Sequence, residues 1–507
     1  MNKYLKTAAG LYSRPVSKIS RIKIINILII ISLLFFGGFL RFSNLGYSEF
    51  QDDEKKAVVR KINGETTAEF LLNQRKGPLQ FAVTSATLLI NQNKSELVLR
   101  APFTFLNLLS IVVVYFLLKE ITGSKTAGFF GAFIFLTNGF IVGFSRIAQY
   151  QNLNIFFSLL SLLFYRNLVT KQTKLALYSV LGTICFSLSV LAHWDAVFFI
   201  VPIVYFYIVF LIRKDITKRS KLIITSINFL AGSFVILPFL LPYLNNLSAN
   251  SGNLEYFDKR MGLLAYPLSR HKYIFELYNP FYALYFIGAL SAIAIFKIKQ
   301  SWPYMMWLII NFAGIFIFME KPGTHIYNYF IPAIFLTSFG ISALAKNKHI
   351  FILFLLPLAL SVSFLYLQSY KIFVDHKQEY PWDSKTIITL FGTKYDTKIY
   401  DDKEVLTFGF PHFRNWKEVN EIIKSDKDGC SYITNEGKEI SQIYVEEKYG
   451  ILNSRRCYYI VQVVKPFITR GNGAKFAKIS GKSPVYTYKK DGETLLKMYR
   501  IDNKNFK

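Results

Sequence analysis

Residues 24–40 read IINILIIISLLFFGGFL, an apolar run without a single charge. The preceding segment, residues 1–23, carries six Lys or Arg side chains and no acid. The run is longer than the apolar core of a signal peptide, and no small-residue cleavage site follows it. We therefore predict a retained first transmembrane helix, with the basic segment 1–23 in the cytoplasm, where positive charge is preferentially kept.

Ten further apolar runs have roughly the length that a helix needs to cross a bilayer. They lie near residues 100–118, 127–143, 153–167, 175–192, 196–212, 222–243, 280–296, 303–319, 327–344 and 349–369. The composition agrees, with 52% hydrophobic residues and 49 Phe among 507 residues. The sequence predicts a polytopic α-helical membrane protein with about 11 transmembrane helices.

The basic residues alternate between loops as this threading requires. Loops assigned to the cytoplasm contain groups of Lys and Arg, such as the five between Arg213 and Lys221. The short outer loops hold only Arg146, then Asp195, then Glu320 with Lys321. This asymmetry places the polar residues 370–507 outside the cytoplasm. The basic cytoplasmic loops also explain much of the net charge of +28, so a nucleic-acid partner is not needed. Anionic lipid headgroups can interact with the remaining Lys and Arg residues.

We divide the chain into a basic N-terminus (1–23), a transmembrane domain (24–369) and an extracytoplasmic α/β domain (370–507). Within the second, the apolar segment 78–91 is too short to span, and we predict a helix at the outer interface. The first outer loop is then residues 43–99. In the C-terminal domain we predict strands at 386–390 and 458–464 and a helix at 416–424. Its cysteines, Cys430 and Cys457, could pair in an oxidising compartment or stay free, and the sequence leaves both open.

Four short motifs lie on the predicted outer side. They are Asp53-Glu54, Lys76-Gly77-Pro78-Leu79, Leu99-Arg100-Ala101-Pro102 and Ser145-Arg146-Ile147-Ala148. Their order and spacing resemble the GT-C class of membrane glycosyltransferases, which use polyprenyl-phosphate sugars and include protein mannosyltransferases and the aminoarabinose transferase of lipid A. The resemblance is good over residues 24–200 and looser beyond. It implies an integral protein of a prokaryotic cell membrane.

This resemblance implies an inverting glycosyltransferase that moves a sugar from a polyprenyl-phosphate carrier to an extracytoplasmic protein, lipid or glycan. The catalytic base would be Asp53, with Glu54 beside it, because the acceptor must lose a proton as it attacks. Lys76 would bind the carrier phosphate with help from Arg146, since the leaving phosphate gains negative charge. The class often places another acid after this Arg, whereas this chain has Gln149-Tyr150-Gln151-Asn152.

Further outer residues are candidate ligands. Those expected to bind the carrier phosphate or lipid are Arg260, Arg270, His271, Lys321, His325 and Tyr327. Those expected to contact the acceptor are His193, Trp194 and Asp195, although for Trp194 alone an interfacial aromatic belt is the favoured interpretation. A lone His-Asp pair is a weak metal signal. We therefore assign no metal ligands and no required cofactor, while Mg or Mn assistance remains compatible with the class.

Two other functions compete with this interpretation. A polyprenyl-linked lipid or glycan transporter or flippase would also need many spans and a cationic outer vestibule. Transporters usually place ionisable groups at mid-membrane and show duplicated halves, and this sequence shows neither feature clearly. An O-antigen ligase or polymerase would concentrate its function in one large late loop, whereas these motifs begin in the first.

Overall fold

The structure is a computed structural model. It describes residues 16–51, 54, 57–58, 64–74, 77–249, 281–318, 325, 327–382, 384–398, 408–445, 457–467, 479 and 481–502. Within these ranges the chain consists of a large bundle of apolar helices followed by a smaller unit containing two β-sheets.

The helices follow the apolar runs of the sequence. Their bounds are α1 Val16–Phe42, α2 Thr67–Leu72, α3 Leu79–Ile90, α4 Glu96–Thr122, α5 Lys125–Thr137, α6 Gly139–Ser145, α7 Tyr150–Thr170, α8 Leu175–Ala192, α9 Ile200–Ile212, α10 Lys218–Ala249, α11 Phe281–Ile293, α12 Ile298–Phe318, α13 Tyr327–Leu344 and α14 Lys348–Ser369. A 3₁₀ turn, Trp194–Phe199, leads into α9, and a π-helical turn, Tyr370–Val374, extends α14.

Among the described residues, eight helical segments are long and apolar enough to cross a membrane, or nine if one bent pair counts as a single span. The predicted spans at 280–296 and 303–319 coincide with α11 and α12, which are helical but do not meet this criterion. The polytopic helical fold is confirmed, and the number eleven stays a prediction.

The bent pair is α5 with α6, whose axes differ by 62°. The bend has a local cause at Asn138, whose side chain accepts hydrogen bonds from the backbone N–H groups of Phe140 and Ile141 and so starts a new helix. An Asn in this position satisfies amides that the break would otherwise leave open. The predicted single run 127–143 is therefore two helices.

The predicted interfacial segment forms α3, a helix of 12 residues. Its last two side chains, Leu89 and Ile90, are almost fully exposed. Exposed apolar side chains at the end of a short helix fit contact with lipid better than contact with water. The placement of this helix at the outer interface remains a prediction.

The polar C-terminal part carries the predicted strands and helix. A hairpin pairs β1 (Ser384–Leu390) with β2 (Thr393–Lys398), and a four-stranded sheet has the order β3-β4-β6-β5. The strands of this sheet are β3 Ser431–Thr434, β4 Cys457–Val463, β5 Tyr486–Lys490 and β6 Glu493–Asp502. Two helices accompany it, α15 (Trp416–Ser425) and α16 (Lys438–Tyr444). Only β3 and β4 run parallel. The core of this unit is formed by α15 and α16 packed on the sheet.

A disulfide joins Cys430 to Cys457. It links the residue before β3 to the first residue of β4, so it fastens the parallel pair at one end. The pairing that the sequence left open is present, and such bonds persist in oxidising compartments.

Candidate active site

A buried ion pair holds the first outer loop. The Arg100 guanidinium donates from Nε to Glu54 Oε1 at 2.8 Å and from Nη2 to Oε2 at 2.7 Å, and neither side chain is more than 2% exposed. Its other N–H groups donate to the backbone carbonyls of Leu45, Ser48 and Glu49. This bidentate geometry, with the remaining donors satisfied, is what a buried pair needs to offset its desolvation.

The Glu54 carboxylate also accepts two backbone N–H groups. Gln51 donates to Oε2 at 2.8 Å and Ala148 donates to Oε1 at 2.9 Å. Because Ala148 belongs to the motif 145–148, one carboxylate connects three of the four motifs predicted to form the site. The motif Leu99-Arg100 was quoted from the sequence without a role for its arginine, and the structure supplies that role.

The fourth motif meets the chain just before His193. Gly77 donates its N–H to the Ala192 carbonyl at 3.3 Å. A Cβ at Gly77 would lie 1.8 Å from the Leu191 carbonyl oxygen, so only glycine fits here. A small apolar cluster reinforces this contact; its buried members are Ala57, Phe103, Ala148, Leu153 and Ala192. All four motifs and the 193–195 segment therefore lie in one place.

Asp195 is the centre of a buried polar cluster. His325 Nδ1 lies 2.8 and 2.9 Å from its two carboxylate oxygens, and the Tyr327 hydroxyl donates to Oδ2 at 2.9 Å. His193 Nδ1 lies 3.0 Å from Oδ1 and accepts the Asp195 backbone N–H at 3.1 Å. Sequence reasoning gave these residues separate tasks, as acceptor contacts and carrier ligands. The structure brings them into a single cluster, 130 residues apart in the chain.

This cluster can also be considered as a metal site. The ligand atoms of His193, Asp195 and His325 all lie within 4.8 Å of one another. The other group of this kind among the described residues contains Cys430 and Cys457, whose sulfurs are already joined. His325 is 130 positions from Asp195, so no local pattern in the sequence indicates that these residues form one ligand set.

Arg146 is buried at the end of α1. Its Nη1 donates to the carbonyls of Leu40, Arg41 and Ser43 at 2.9 to 3.2 Å, and Nη2 donates to that of Asn44 at 3.3 Å. The carbonyls of Leu40 and Arg41 belong to the last turn of α1, where a helix leaves its acceptors open, and Ser43 and Asn44 follow that turn. The described contacts of Arg146 therefore bind the first transmembrane helix to the motif 145–148.

The amide that replaces the expected second acid has a structural partner. Asn152 accepts a hydrogen bond from Asn107 Nδ2 at 2.9 Å and donates to the Phe144 carbonyl at 2.8 Å. Asn107 Oδ1 in turn accepts from Arg41 Nε at 2.9 Å. These three side chains form a buried polar chain between α1, α4 and α7, which binds the helices together beneath the site.

The C-terminal unit closes over the first loop. Both carboxylate oxygens of the buried Glu49 accept backbone N–H groups, from Arg414 at 2.8 Å and from Trp416 at 2.6 Å. Burial nevertheless raises the pKa of Glu49 to about 8. The Tyr444 hydroxyl accepts the Phe50 N–H at 2.6 Å. The loop that carries the predicted base is thus part of the interface between the two units.

A second connection is centred on Glu379. Its carboxylate accepts hydrogen bonds from Lys490 Nζ at 2.6 Å, from Arg414 Nη1 at 2.8 Å and from the Phe413 N–H at 2.7 Å, and it also pairs with the Tyr47 hydroxyl. Burial opposes ionisation, but these donors outweigh it and hold the pKa of Glu379 below its usual range. Glu379 was not singled out from the sequence, because Tyr47, its partner in the first loop, is 332 positions away in the chain.

Several predicted site residues lie outside the described residues. They are Asp53, Lys76, Arg260, Arg270, His271 and Lys321. Among the described site residues, Glu54 and Arg146 are hydrogen-bonded to other groups of the protein. The buried cluster around Asp195 contains His193, His325 and Tyr327. Trp194 is half-buried, with its ring centroid 5.7 Å from that of Tyr243.

Part of the chain is similar to a known protein family. Residues 75–245, which include the motif 76–79, Arg100, Ala148 and the 193–195 segment, match the family model described as dolichyl-phosphate-mannose-protein mannosyltransferase. This region, about a third of the chain, therefore resembles that family of mannosyltransferases. A comparison with curated proteins gave no match.

Solved structures of GT-C glycosyltransferases share the fold of this chain. ArnT from Cupriavidus metallidurans, solved with undecaprenyl phosphate, is 12% identical, with 93% of this chain and 97% of that chain covered and a TM-score of 0.52. The Archaeoglobus fulgidus oligosaccharyltransferase, solved with Zn and sulfate, is 13% identical, with 86% and 68% covered and a TM-score of 0.51. The same oligosaccharyltransferase, AglB, solved with an inhibitory peptide and a dolichol-phosphate, is 12% identical at a TM-score of 0.51. At these identities the likeness establishes the fold alone, and nothing in it favours a transporter.

Proposed function

We propose that this protein is a glycosyltransferase that catalyses inverting transfer of a sugar from a polyprenyl-phosphate carrier to an acceptor outside the cytoplasm. The observation that carries the proposal is the convergence of the four motifs, connected through Glu54, Arg100 and Ala148 and through the contact of Gly77 with Ala192. Asp53 adjoins Glu54, and Lys76 adjoins Gly77. Both proposed reacting side chains are therefore attached to residues that are rigidly held.

In the proposed reaction, Asp53 accepts the proton of the acceptor hydroxyl or amine as its O or N attacks the anomeric carbon. The bond from that carbon to the carrier phosphate oxygen breaks on the opposite face, so the configuration inverts. The phosphate leaves with the bonding electrons, and the Lys76 ammonium stabilises its added charge. Glu54 and Arg146 act as positioning residues in this scheme, because their described hydrogen bonds are to the protein.

Substitution of Asp53 tests the base. Asp53→Asn keeps the shape and removes the proton acceptor, so transfer should fall by roughly a hundredfold or more while carrier binding survives. The matched control is Asp52→Asn. Mass spectrometry of glycoconjugates measures transfer by each variant in cells that lack the gene and are complemented with that variant. If Asp52→Asn abolishes transfer and Asp53→Asn does not, the base is Asp52. If neither substitution lowers transfer, the proposal is refuted.

Substitution of Lys76 tests the phosphate contact. Lys76→Ala should weaken binding of sugar-free polyprenyl phosphate to the purified protein by about 1.5 to 3 kcal/mol, the value of a charge-assisted hydrogen bond. Lys94→Ala removes an exposed lysine of the same loop and should change little. Equal effects of the two substitutions would assign the binding to general surface charge.

The remaining outer cations, Arg260, Arg270, His271 and Lys321, are proposed to attract the anionic headgroup. Their charge would make carrier binding weaken with salt, and alanine substitutions should flatten that dependence. Residues 1–23 are proposed to be cytoplasmic and residues 370–507 extracytoplasmic, in a prokaryotic cell membrane. The disulfide between Cys430 and Cys457 supports that side for the domain. Labelling of a cysteine introduced near residue 420 from the cytoplasmic side would overturn it.

A further inference from the structure

We propose that His193, Asp195 and His325 form a binding site for one divalent transition-metal ion of the zinc type. The site goes beyond the proposed transfer reaction, because it is argued from a side-chain cluster that the base and the phosphate ligand do not use. Two imidazoles and one carboxylate are a ligand set that suits zinc and its neighbours better than Mg, which prefers oxygen.

The three ligands come from three separate points of the bundle. His193 caps the C-terminus of α8, Asp195 is the second residue of the 3₁₀ turn, and His325 lies two residues before α13. Their side chains are 13%, 5% and 9% exposed, and their ligand atoms lie within 4.8 Å of one another. The segment after α8 thus supplies two ligands two positions apart, and the start of α13 brings the third from a distant part of the chain.

The distances need only a small adjustment to accept an ion. Zn–N bonds of about 2.0 to 2.1 Å and Zn–O bonds of about 2.0 to 2.2 Å place neighbouring ligand atoms of a tetrahedron about 3.3 Å apart. The Asp195 Oδ1 atom is now 3.0 Å from His193 Nδ1 and 2.8 Å from His325 Nδ1. Lengthening these two contacts by a few tenths of an ångström, with the two histidine nitrogens kept within 4.8 Å of each other or closer, would seat the ion.

The protons of the cluster favour a cation. Two imidazole nitrogens approach the Asp195 carboxylate, His193 Nδ1 at 3.0 Å and His325 Nδ1 at 2.8 Å from Oδ1, in contacts that protons on these nitrogens would satisfy. One metal ion bound to the two Nδ1 lone pairs would take the place of those protons and offset the carboxylate charge. Its binding would also replace the hydrogen bond from the Asp195 N–H to His193 Nδ1.

Neighbouring side chains fix the ligands in position. The Tyr327 hydroxyl donates to Asp195 Oδ2, and the Tyr150 ring is stacked on His193 with a centroid separation of 3.8 Å and an interplanar angle of 14°. Partners of this kind orient metal ligands and raise affinity. Three protein ligands leave a fourth position for water or another ligand. The ion would lie beside Ala192, the residue that contacts Gly77.

Direct metal binding by the purified full-length protein tests the site. After chelator treatment and dialysis against Zn²⁺, elemental analysis should find one zinc per chain, and Co²⁺ should give the absorption spectrum of a tetrahedral complex. Asp195→Asn and His325→Gln should each weaken Zn²⁺ binding by more than about a hundredfold, and Tyr327→Phe, which removes an orienting hydrogen bond, by about 10 to 100-fold. His349→Gln, an exposed histidine outside the cluster, should bind like the wild type.

Zinc content that is equal in the wild type and in Asp195→Asn would overturn the proposal, as would equal losses in His349→Gln. If a ligand variant fails to fold by size-exclusion chromatography, the cobalt spectrum of the unmodified chain decides, and its absence refutes the site. These experiments measure bound metal directly and do not depend on sugar transfer. A failure here therefore leaves the Asp53 and Lys76 experiments unaffected, and their failure leaves the metal site standing.

Discussion

Two neighbouring carboxylates in the first loop have different expected tasks, and the environment of Glu54 explains the difference. Its two oxygens accept four hydrogen bonds, two from the Arg100 guanidinium and two from backbone N–H groups. A carboxylate engaged in this way would have to break those bonds to accept a proton from substrate. It is better suited to hold Asp53 in place than to act as a base itself.

Glu54→Gln should therefore act on stability first. The substitution leaves the buried Arg100 charge without its counter-ion and turns an amide NH₂ towards groups that already donate, at a cost of about 3 to 5 kcal/mol. Chemical unfolding in detergent micelles measures the free energy of unfolding. The exposed Glu418→Gln is the control and should change it little. Full stability of Glu54→Gln together with lost transfer would show that Glu54 reacts directly.

The sequence could predict which single residues lie near the site. It could not predict which groups those residues contact. From the sequence, Arg146 was expected to help bind the carrier phosphate, and Arg100 appeared only within a motif, with no role of its own. Their described contacts are with Glu54 and with the end of α1, respectively. Pairing depends on how helices meet in space, and no local pattern in the sequence encodes that.

At the scale of elements, the approach of the 77–79 segment to the end of α8 depends on a missing side chain. A Cβ at Gly77 would lie 1.8 Å from a backbone oxygen, which cannot rotate away as a side chain could. The loop bearing Lys76 would have to move away from the 193–195 segment. A displacement of about 1 Å in a positioning element can reduce a rate by about a hundredfold.

Gly77→Ala should accordingly lower the transfer rate by about a hundredfold and reduce stability, while the protein still inserts in the membrane. Gly288→Ala is the matched control, because a Cβ there meets nothing within 4 Å and a helical Ala is about 0.5 to 1 kcal/mol better than Gly. Sugar transfer in membranes that contain equal amounts of each variant provides the comparison. Unchanged transfer by Gly77→Ala would contradict the close contact.

Helix positions were predictable from the sequence because membrane hydropathy is a local property. The runs at 153–167 and 175–192, for example, match α7 and α8 closely. The bend between α5 and α6 was not foreseen, since both helices are apolar and the break depends on one cap, Asn138. The Asp195 cluster was not foreseen either, because its members belong to different outer loops.

For the whole molecule, Glu379 ties the C-terminal unit to the transmembrane part. Its pKa is held below 4.5 in the folded protein, despite burial, by Lys490, Tyr47, Phe413 and Arg414. A carboxyl group whose folded-state pKa is lowered stabilises the fold above its unfolded-state pKa. That stabilisation is lost as the pH falls through the folded-state value.

The free energy of unfolding should therefore decrease as the pH falls below about 4.5, the unperturbed value. Glu379→Gln should flatten this decrease and lower stability at pH 7, because Lys490 and Arg414 lose their counter-ion. Unfolding midpoints measured across the acid range for the wild type, Glu379→Gln and Glu418→Gln test this. A Glu379→Gln protein with the acid slope of the wild type would rule out the assigned role.

The hydrogen bond from the Trp416 backbone N–H to the Glu49 carboxylate joins parts of the chain that are synthesised at different times. The two residues are 367 positions apart, so the first loop leaves the ribosome long before its partner exists. At about 5 to 20 residues per second, roughly 20 to 70 s separate them. During that interval the loop that carries Asp53 lacks its lid. The contact between the first loop and the C-terminal unit is therefore among the last to form as the chain is made.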